Sequence, residues 1–507
     1  MNFADRLVAD CDPSSPALIT AQAEHSHGEL AEAAGAVARF LLRSGGRPGD
    51  CVGIMADNSI FWAAAYLGVM RAGCVAVPVS PDLPLHDCRA LAQATQMRTA
   101  FVESRRAESC ARWLSPGVQQ VVLDEPHTAH FEGASIWSFG ELLAPRAPAP
   151  LAVGGGDDLA ALLFSSGSTG KPRAVMLSHG NLIANTESII QAIGLTPDDR
   201  AMAVLPFHYS FGASVLQTHL ALGASVVIDR RFVLPDQVLQ RAIDTGCTGF
   251  AGVPSHYQIL LRRSRFKEMR FPRLRWLQQA GGRLQESLVR ELREAHPELK
   301  LYLMYGATEA TARLSILPPE EVDRRPGSIG RGIPGVLLRV LDEEGRPVAP
   351  GEIGEIVAEG RNIARGYFQD PEASATTFRA GRLHTGDLAT MDAEGYLSVA
   401  GRAKSFLKIG GQRTSAERFE EALLAFPDIV EAAVVAVPDE LLGEAPAAFV
   451  VARDARDATV GQRLREFARS RLPLQLQPKL IEVVPELPKN AAGKLQRMEL
   501  QKRLRAA

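Results

Sequence analysis

Residues 164–173 read Phe-Ser-Ser-Gly-Ser-Thr-Gly-Lys-Pro-Arg. Four hydroxyls (Ser165, Ser166, Ser168, Thr169), two glycines (Gly167, Gly170) and Lys171 stand between the apolar runs 159–164 and 174–177. Glycines let backbone N–H groups turn toward an anion, and hydroxyls and an ammonium add donors and charge. The stretch suits a loop that grips a polyphosphate. It lacks the P-loop spacing, which needs Gly six positions before the lysine and Ser or Thr directly after it. Those positions hold Ser165 and Pro172. Taken alone, the loop also reads as a plain Ser/Gly turn.

A nucleotide held there needs a cation ligand and a grip on its sugar. Tyr305-Gly-Ala-Thr-Glu309 follows an expected strand, where open α/β sheets bind ligands. Glu309 can hold Mg²⁺, Thr308 can donate to a phosphate and Tyr305 can stack on a base. The competing reading is a helix cap with a carboxylate favoured by the helix dipole. His384-Thr-Gly-Asp387 and Gly401-Arg402 supply a carboxylate suited to two ribose hydroxyls and a guanidinium to assist, or else a structural Asp–Arg pair. Pro488-Lys-Asn-Ala-Ala-Gly-Lys494 is a glycine-containing loop ending in a lysine. Such a lysine could neutralise charge developing between a carboxylate and a phosphate, or could simply be solvated.

These residues need a scaffold. Helical spacing at 28–44, 60–72 and 86–96 alternates with short apolar strands at 51–55, 74–78 and 99–102. The rhythm returns at 201–205, 225–228, 249–253 and 301–305, so parallel sheet covered on both faces is expected. After about 325, Gly and Pro become frequent and the strands at 337–341 and 355–357 are short, which suggests an antiparallel or barrel-like subdomain. Residues 403–507 suit a small α+β domain, with helices at 416–425 and 460–470 and strands at 431–437, 447–452 and 480–484.

The chain has 507 residues, 46% hydrophobic and 22% charged, with a net charge of −2. That length implies two or more domains, and the charge argues against a nucleic-acid partner. Six cysteines without CxxC spacing suit reduced thiols in the cytoplasm rather than a disulfide framework or zinc site. No signal peptide is expected. Arg71, two glycines and Pro78 interrupt the apolar stretch Ile60–Val79, so it reads as a buried helix and a strand, with no integral membrane segment.

Together, the Ser/Gly loop with Lys171, Tyr-Gly-x-Thr-Glu, Thr-Gly-Asp and the final Gly-Lys resemble the adenylate-forming superfamily. That superfamily comprises acyl-CoA synthetases, stand-alone carrier-protein ligases, nonribosomal-peptide adenylation domains and luciferases. The resemblance spans most of the chain, including Gly360–Tyr367, Gly401–Gly411 and Leu472–Arg497. It implies an α/β fold: a large AMP-binding domain, 1–402, of parallel α/β sheets with a small barrel-like β subdomain, and a mobile α+β domain, 403–507. It also implies two half-reactions. A carboxylate attacks the α-phosphate of Mg-ATP to give an acyl-adenylate and pyrophosphate; a nucleophile, usually a thiol, then displaces AMP.

Carried over by position, Ser165, Ser166, Gly167, Ser168, Thr169, Gly170 and Lys171 would hold the β- and γ-phosphates. Thr308 would contact the α-phosphate and Glu309 the Mg²⁺. Tyr305 would pack on adenine, Asp387 and Arg402 would bind ribose, and Lys494 would bridge carboxylate and α-phosphate. Lys404 would be the hinge of the mobile domain, and Gly411 would let a pantetheine arm approach. Ser405 and Phe406 depart from the acidic residue many relatives carry after the hinge lysine. His208 stands at the gating aromatic position of the carboxylate pocket; a core or helix-cap histidine is the alternative. Tyr209, Gly281, Gly282 and Ala307 would border that pocket.

Amino-acid-activating members carry Asp in a Phe-Asp-Ala-Ser-type stretch, and here the chain reads Phe211-Gly212-Ala213-Ser214. Gly212 cannot pair with a buried ammonium, so a fatty, aryl or cyclic acid is favoured over an amino acid. The expected acceptor is CoA or the phosphopantetheine of an acyl carrier protein. An amine acceptor giving an amide, and a nucleotide- or acyl-binding protein without catalysis, are the alternatives.

Overall fold

The computed structural model describes residues 1–8, 11–81, 83, 85–114, 117–144, 154–166, 172–229, 231–402, 406–409, 412–439, 443–454, 456–472, 477–489 and 495–506. They divide into two units, Met1–Leu338 with Ala358–His384, and Arg339–Val357 with Thr385–Ala507.

The first unit is built from the expected alternation. Strands such as Val75–Pro78, Thr99–Val102, Ser225–Ile228 and Gly249–Gly252 are buried at every residue, as strands covered on both faces must be. One sheet runs in the order Ser135–Ser138, Gln120–Leu123, Thr99–Val102, Cys51–Met55, Val75–Pro78, Leu159–Ser166, Pro172–Ser178. It is parallel up to its last pair, which is antiparallel. The other runs from Ser328–Gly332 through Ser315–Leu317, Lys300–Tyr305, Trp276–Gln279, Gly249–Gly252, Arg200–Ala203, Ser225–Ile228 and Pro16–Ile19 to Glu24–Ser26.

The helices begin where their sequences say they should. Ser26 with Glu29, and Ser178 with Asn181, form capping boxes that satisfy otherwise orphaned N–H groups. In the helix Ile60–Arg71 every residue from Phe61 to Met70 is buried, and the strand Val75–Pro78 follows. The long apolar run is therefore core. Among the described residues no helix is long and apolar enough to cross a membrane.

The parallel pairings of Arg200–Ala203, Gly249–Gly252, Trp276–Gln279 and Lys300–Tyr305 bring their carboxyl ends to one edge. The segments leaving that edge, 204–210, 253–254, 280–283 and 306–313, lie where open α/β sheets bind ligands, and they include His208, Gly281, Gly282, Thr308 and Glu309.

The strands Val336–Leu341, Gly354–Gly360, Arg382–Met391 and Leu397–Arg402 follow one another in linear order, and the last two pair antiparallel, which supplies the small β subdomain. At the end of the second unit, Phe406–Ile409, Gln412–Ser415, Gly443–Ala452 and Ile429–Asp439 pair antiparallel, and Leu480–Val483 joins Gly443–Ala452 in parallel. The helices Ala416–Leu424 and Val460–Arg471 bury Phe419, Leu423 and Leu464 on one face, and Leu487 and Leu500 cover Phe449 on the other. The hairpin Ile429–Asp439 with Gly443–Ala452 is longer than its apolar stretches suggest, because cross-strand pairing carries polar residues such as Glu444 into the ladder.

Candidate active site

The hairpin that presents the Ser/Gly loop has strands Leu159–Ser166 and Pro172–Ser178, with Ser165 opposite Arg173 and Ser166 opposite Pro172. Pairing therefore runs two residues beyond the apolar runs, up to both shoulders of the loop. Gly167, Ser168, Thr169, Gly170 and Lys171 lie outside the described residues. Ser166 is placed by its backbone alone. The Ser165 hydroxyl oxygen is buried with no hydrogen-bond partner among the described residues. Such a group is destabilising unless something binds it, and a phosphate oxygen would.

The strand Lys300–Tyr305 ends at the half-buried Tyr305, and a single 3₁₀ turn, Thr308–Ala310, follows. Between them the chain doubles back. A Cβ on Gly306 would lie 1.9 Å from the Ala312 carbonyl oxygen, so only glycine fits. Thr311 holds φ at +68°, strained for a β-branched residue, and its hydroxyl donates to the Asn362 carbonyl at 2.7 Å.

A second segment clasps this turn. Asn362 Nδ2 donates to the carbonyls of Ala310 (3.2 Å) and Arg313 (3.0 Å). The Ala364 N–H donates to the Glu309 carbonyl at 2.9 Å. The Tyr367 hydroxyl donates to Glu309 Oε1 at 2.9 Å. Burial, then the Glu309 charge, pushes the Tyr367 phenol up to about 12, so it remains a donor. Glu309 Oε2 accepts no hydrogen bond among the described residues. The same segment joins the hairpin: Met176 N–H donates to Gly366 O (2.9 Å), Arg365 N–H to Met176 O (3.1 Å) and Phe368 N–H to Ala174 O (2.8 Å). Residues 362–368 thus tie the hairpin of Ser165 to the turn of Thr308 and Glu309. Sequence reasoning marked Gly360–Tyr367 as a stretch but missed Asn362 and Tyr367. Asn beside a glycine-rich bend, a residue type that ties turn backbone, was the available signal.

His208 follows the strand Arg200–Ala203 and is 7% exposed. Its ring lies on Tyr209, centroids 4.4 Å apart, and Nε2 has no partner among the described residues. Burial lowers its pKa to about 4, so the ring is neutral at neutral pH. Ser210 Oγ lies 3.4 Å from Thr308 Oγ1, which brings the 206–210 loop to the Thr308 turn. Gly212 faces the Pro206 carbonyl, where a Cβ would sit 2.1 Å from its oxygen; the Asp of amino-acid-activating relatives has no room here. Gly281 (φ +84°) and Gly282 follow Trp276–Gln279, the strand beside Lys300–Tyr305, and would place a Cβ 2.9 Å from Val253 and 3.3 Å from Pro254 respectively. Ala307 is half-buried at the start of the Thr308 turn.

In the second unit, Asp387 stands directly opposite Arg402 in the hairpin of Arg382–Met391 with Leu397–Arg402. Asp387 is 7% exposed, and its N–H donates to Thr385 Oγ1 at 3.1 Å. The Arg402 side chain, Lys404, Gly411 and Lys494 lie outside the described residues. Lys489 pairs with Leu495 across the 490–494 connection and sits 2.6 Å from Glu431.

Within the first unit, the Ser165 hydroxyl and the Glu309 carboxylate have the donor and acceptor chemistry that a magnesium nucleotide needs. Among the described residues no group of three or more His, Cys, Asp or Glu could hold a metal by itself. Mg²⁺ rarely needs that; one or two carboxylates with phosphate oxygens and water suffice, and Glu309 offers an unengaged oxygen.

The comparisons with known proteins agree with this geometry. The AMP-binding enzyme model matches residues 6–368 and the AMP-binding enzyme C-terminal domain model matches 418–494. The chain is 30% identical to a feruloyl-CoA synthase of Amycolatopsis sp over 481 residues, covering 94% of each. It is 32% identical to a sulfoacetate–CoA ligase of Cupriavidus necator, covering 96% of this chain and 94% of that one. An anthranilate CoA ligase solved with anthranoyl-AMP superposes with a TM-score of 0.90 at 27% identity, covering 100% of this chain and 98% of that one. With both blocks of the sequence matched and its fold shared with an adenylate-bound ligase, this chain belongs to the AMP-binding enzyme family.

Proposed function

We propose that this protein is an AMP-forming acid–thiol ligase acting on a carboxylic acid other than an amino acid. In the first half-reaction the substrate carboxylate forms a bond to the ATP α-phosphorus, and the bond from that phosphorus to the bridging oxygen breaks, releasing pyrophosphate. In the second, a thiol sulfur bonds to the acyl carbon, AMP leaves and the thiol proton goes to solvent. The acceptor is CoA or a carrier protein's phosphopantetheine. The observation that carries the reading is the clasp of 362–368, which holds Glu309 and the Ser165 hairpin together in a chain of the AMP-binding family.

All the reactants are anions, so the protein's work is positioning and charge neutralisation. Residues 165–171 hold the β- and γ-phosphates, Thr308 the α-phosphate, Tyr305 the adenine, and Asp387 with Arg402 the ribose. Lys494 bridges the reacting carboxylate and phosphate. Glu309 would hold Mg²⁺, which would supply neutralising charge to the phosphates. Neutral His208 borders the acid without adding charge beside it. Residues 403–507 move about Lys404 between half-reactions, and Gly411 lets the thiol arm pass. Six free cysteines, five of them buried, support a reducing, cytoplasmic setting. The relatives' names, feruloyl and sulfoacetate, support acid activation but differ in the acyl part, which leaves the acyl group to be read from the pocket.

The test is pyrophosphate release with Mg-ATP across fatty, aryl, cyclic, dicarboxylic and amino acids, first without acceptor and then with CoA, a carrier protein or amines. Release with a non-amino acid class and a thioester on adding CoA is expected. Release with amino acids alone, or none despite ATP binding, would overturn the proposal.

A further inference from the structure

Arg313 has no task in the chemistry above. It lies four residues after Glu309, is 2% exposed and is among the largest fully buried side chains of the protein. Its backbone is fully engaged: Asn185 Oδ1 accepts from its N–H at 3.2 Å, and Asn185 and Asn362 both donate to its carbonyl. Its side chain is not. Among the described residues, the guanidinium carbon sits 4.4 Å from the Phe211 ring centre, Nη2 reaches only the Ser214 hydroxyl at 3.5 Å, and Nε has no partner. No carboxylate pairs with it among the described residues.

A buried guanidinium without a counter-charge is strongly disfavoured, and one cation–π contact with one long hydrogen bond offsets only part of that. Burial alone lowers its pKa, to about 9, with no acidic neighbour acting against it, so it stays charged at neutral pH. Its position is specific. Phe211 and Ser214 open the helix Ser210–Ala221, whose Ser210 hydroxyl meets Thr308. The Arg313 backbone lies against Gly306, just before Ala307 and Thr308. The guanidinium is therefore held against the first turn of the helix whose Ser210 hydroxyl meets Thr308.

We infer that Arg313 receives a second anionic group on the acid, so that the substrate is a dicarboxylic acid or a carboxylic acid bearing a sulfonate. This rests on the proposed ligase reading and names the substrate class for it. The far anion accepts hydrogen bonds from the guanidinium while the reacting carboxylate lies toward Thr308. The same charge repels an ammonium, in agreement with Gly212 at the position where amino-acid-activating relatives carry Asp.

The test compares kcat/KM for pyrophosphate release on matched acids: succinate with butyrate, adipate with hexanoate, phthalates with benzoate, and sulfoacetate with propionate. Wild type should favour the anion-bearing member of at least one pair by about 100-fold or more, and Arg313→Met should lower that ratio by at least about 100-fold, with Arg313→Lys between. A wild-type preference for the members without the second anionic group throughout, or a ratio unchanged in Arg313→Met, overturns the inference. If Arg313→Met does not fold, the wild-type ratio and Arg313→Lys decide. If no acid is turned over, the ligase reading fails separately, and calorimetric titration of the same acids decides the inference. Binding of an anion-bearing acid that Arg313→Lys weakens sustains it; no such binding overturns it.

Discussion

Glu309 is oriented by one phenol. Among the described residues the Tyr367 hydroxyl is its hydrogen-bond donor, at 2.9 Å and from 58 residues away, and Oε2 is the oxygen that the proposed reading gives to Mg²⁺. A hydrogen bond to a charged group contributes roughly 1.5–3 kcal/mol. Tyr367→Phe should therefore raise the Mg²⁺ concentration for half-maximal pyrophosphate release by about 10-fold while the protein stays folded. An unchanged Mg²⁺ dependence would mean that the phenol supports packing only. Thr308 and Glu309 were legible because they are contiguous and follow a strand. Tyr367, Asn362 and Arg313 were not: nothing local says which distant group an asparagine reaches, or that an arginine lacks a carboxylate.

At the scale of elements, the helix His179–Ile193 anchors the start of the chain through its first residue. His179 is 1% exposed, and its Nδ1 accepts from the Phe3 N–H at 3.0 Å, fastening the helix Phe3–Val8. Burial lowers the His179 pKa from 6.5 to about 4, against small opposing effects of Asp158 and Asp5. Because the folded value lies below the unfolded one, the stability from the neutral ring is complete above about pH 6.5 and is lost as pH falls toward 4. His208 acts in the same direction over the same window. The urea midpoint should decline between pH 6.5 and 4, with the Phe3 amide among the first to lose exchange protection. His179→Gln should flatten that decline, and an equal slope in the variant would refute the role. The sequence reading placed no helix at His179–Ile193, although its capping residues and apolar spacing are local. The docking of the Phe3–Val8 helix on it was not legible, because only the folded chain brings Phe3 and His179 together.

At the scale of the whole molecule, the two half-reactions are assigned to one chain with two units. Lys404→Pro fixes φ at the expected hinge. Pyrophosphate release should stay within a few-fold of wild type, while thioester formation from isolated acyl-adenylate should slow by at least about 10-fold. Equal loss of both rates would place the hinge elsewhere. The sequence by itself determined the α/β alternation and the resemblance to AMP-forming acid ligases. Burial periodicity and anion-binding turns are written in neighbouring residues, and Ser165, Thr308, Glu309 and Asp387 could be read without coordinates. Only the tertiary structure decided how 362–368 joins hairpin to turn, why Gly212 has no room for a side chain, and that Arg313 is buried without a counter-charge among the described residues. Those facts depend on packing and desolvation between segments far apart in the chain, which no local pattern expresses.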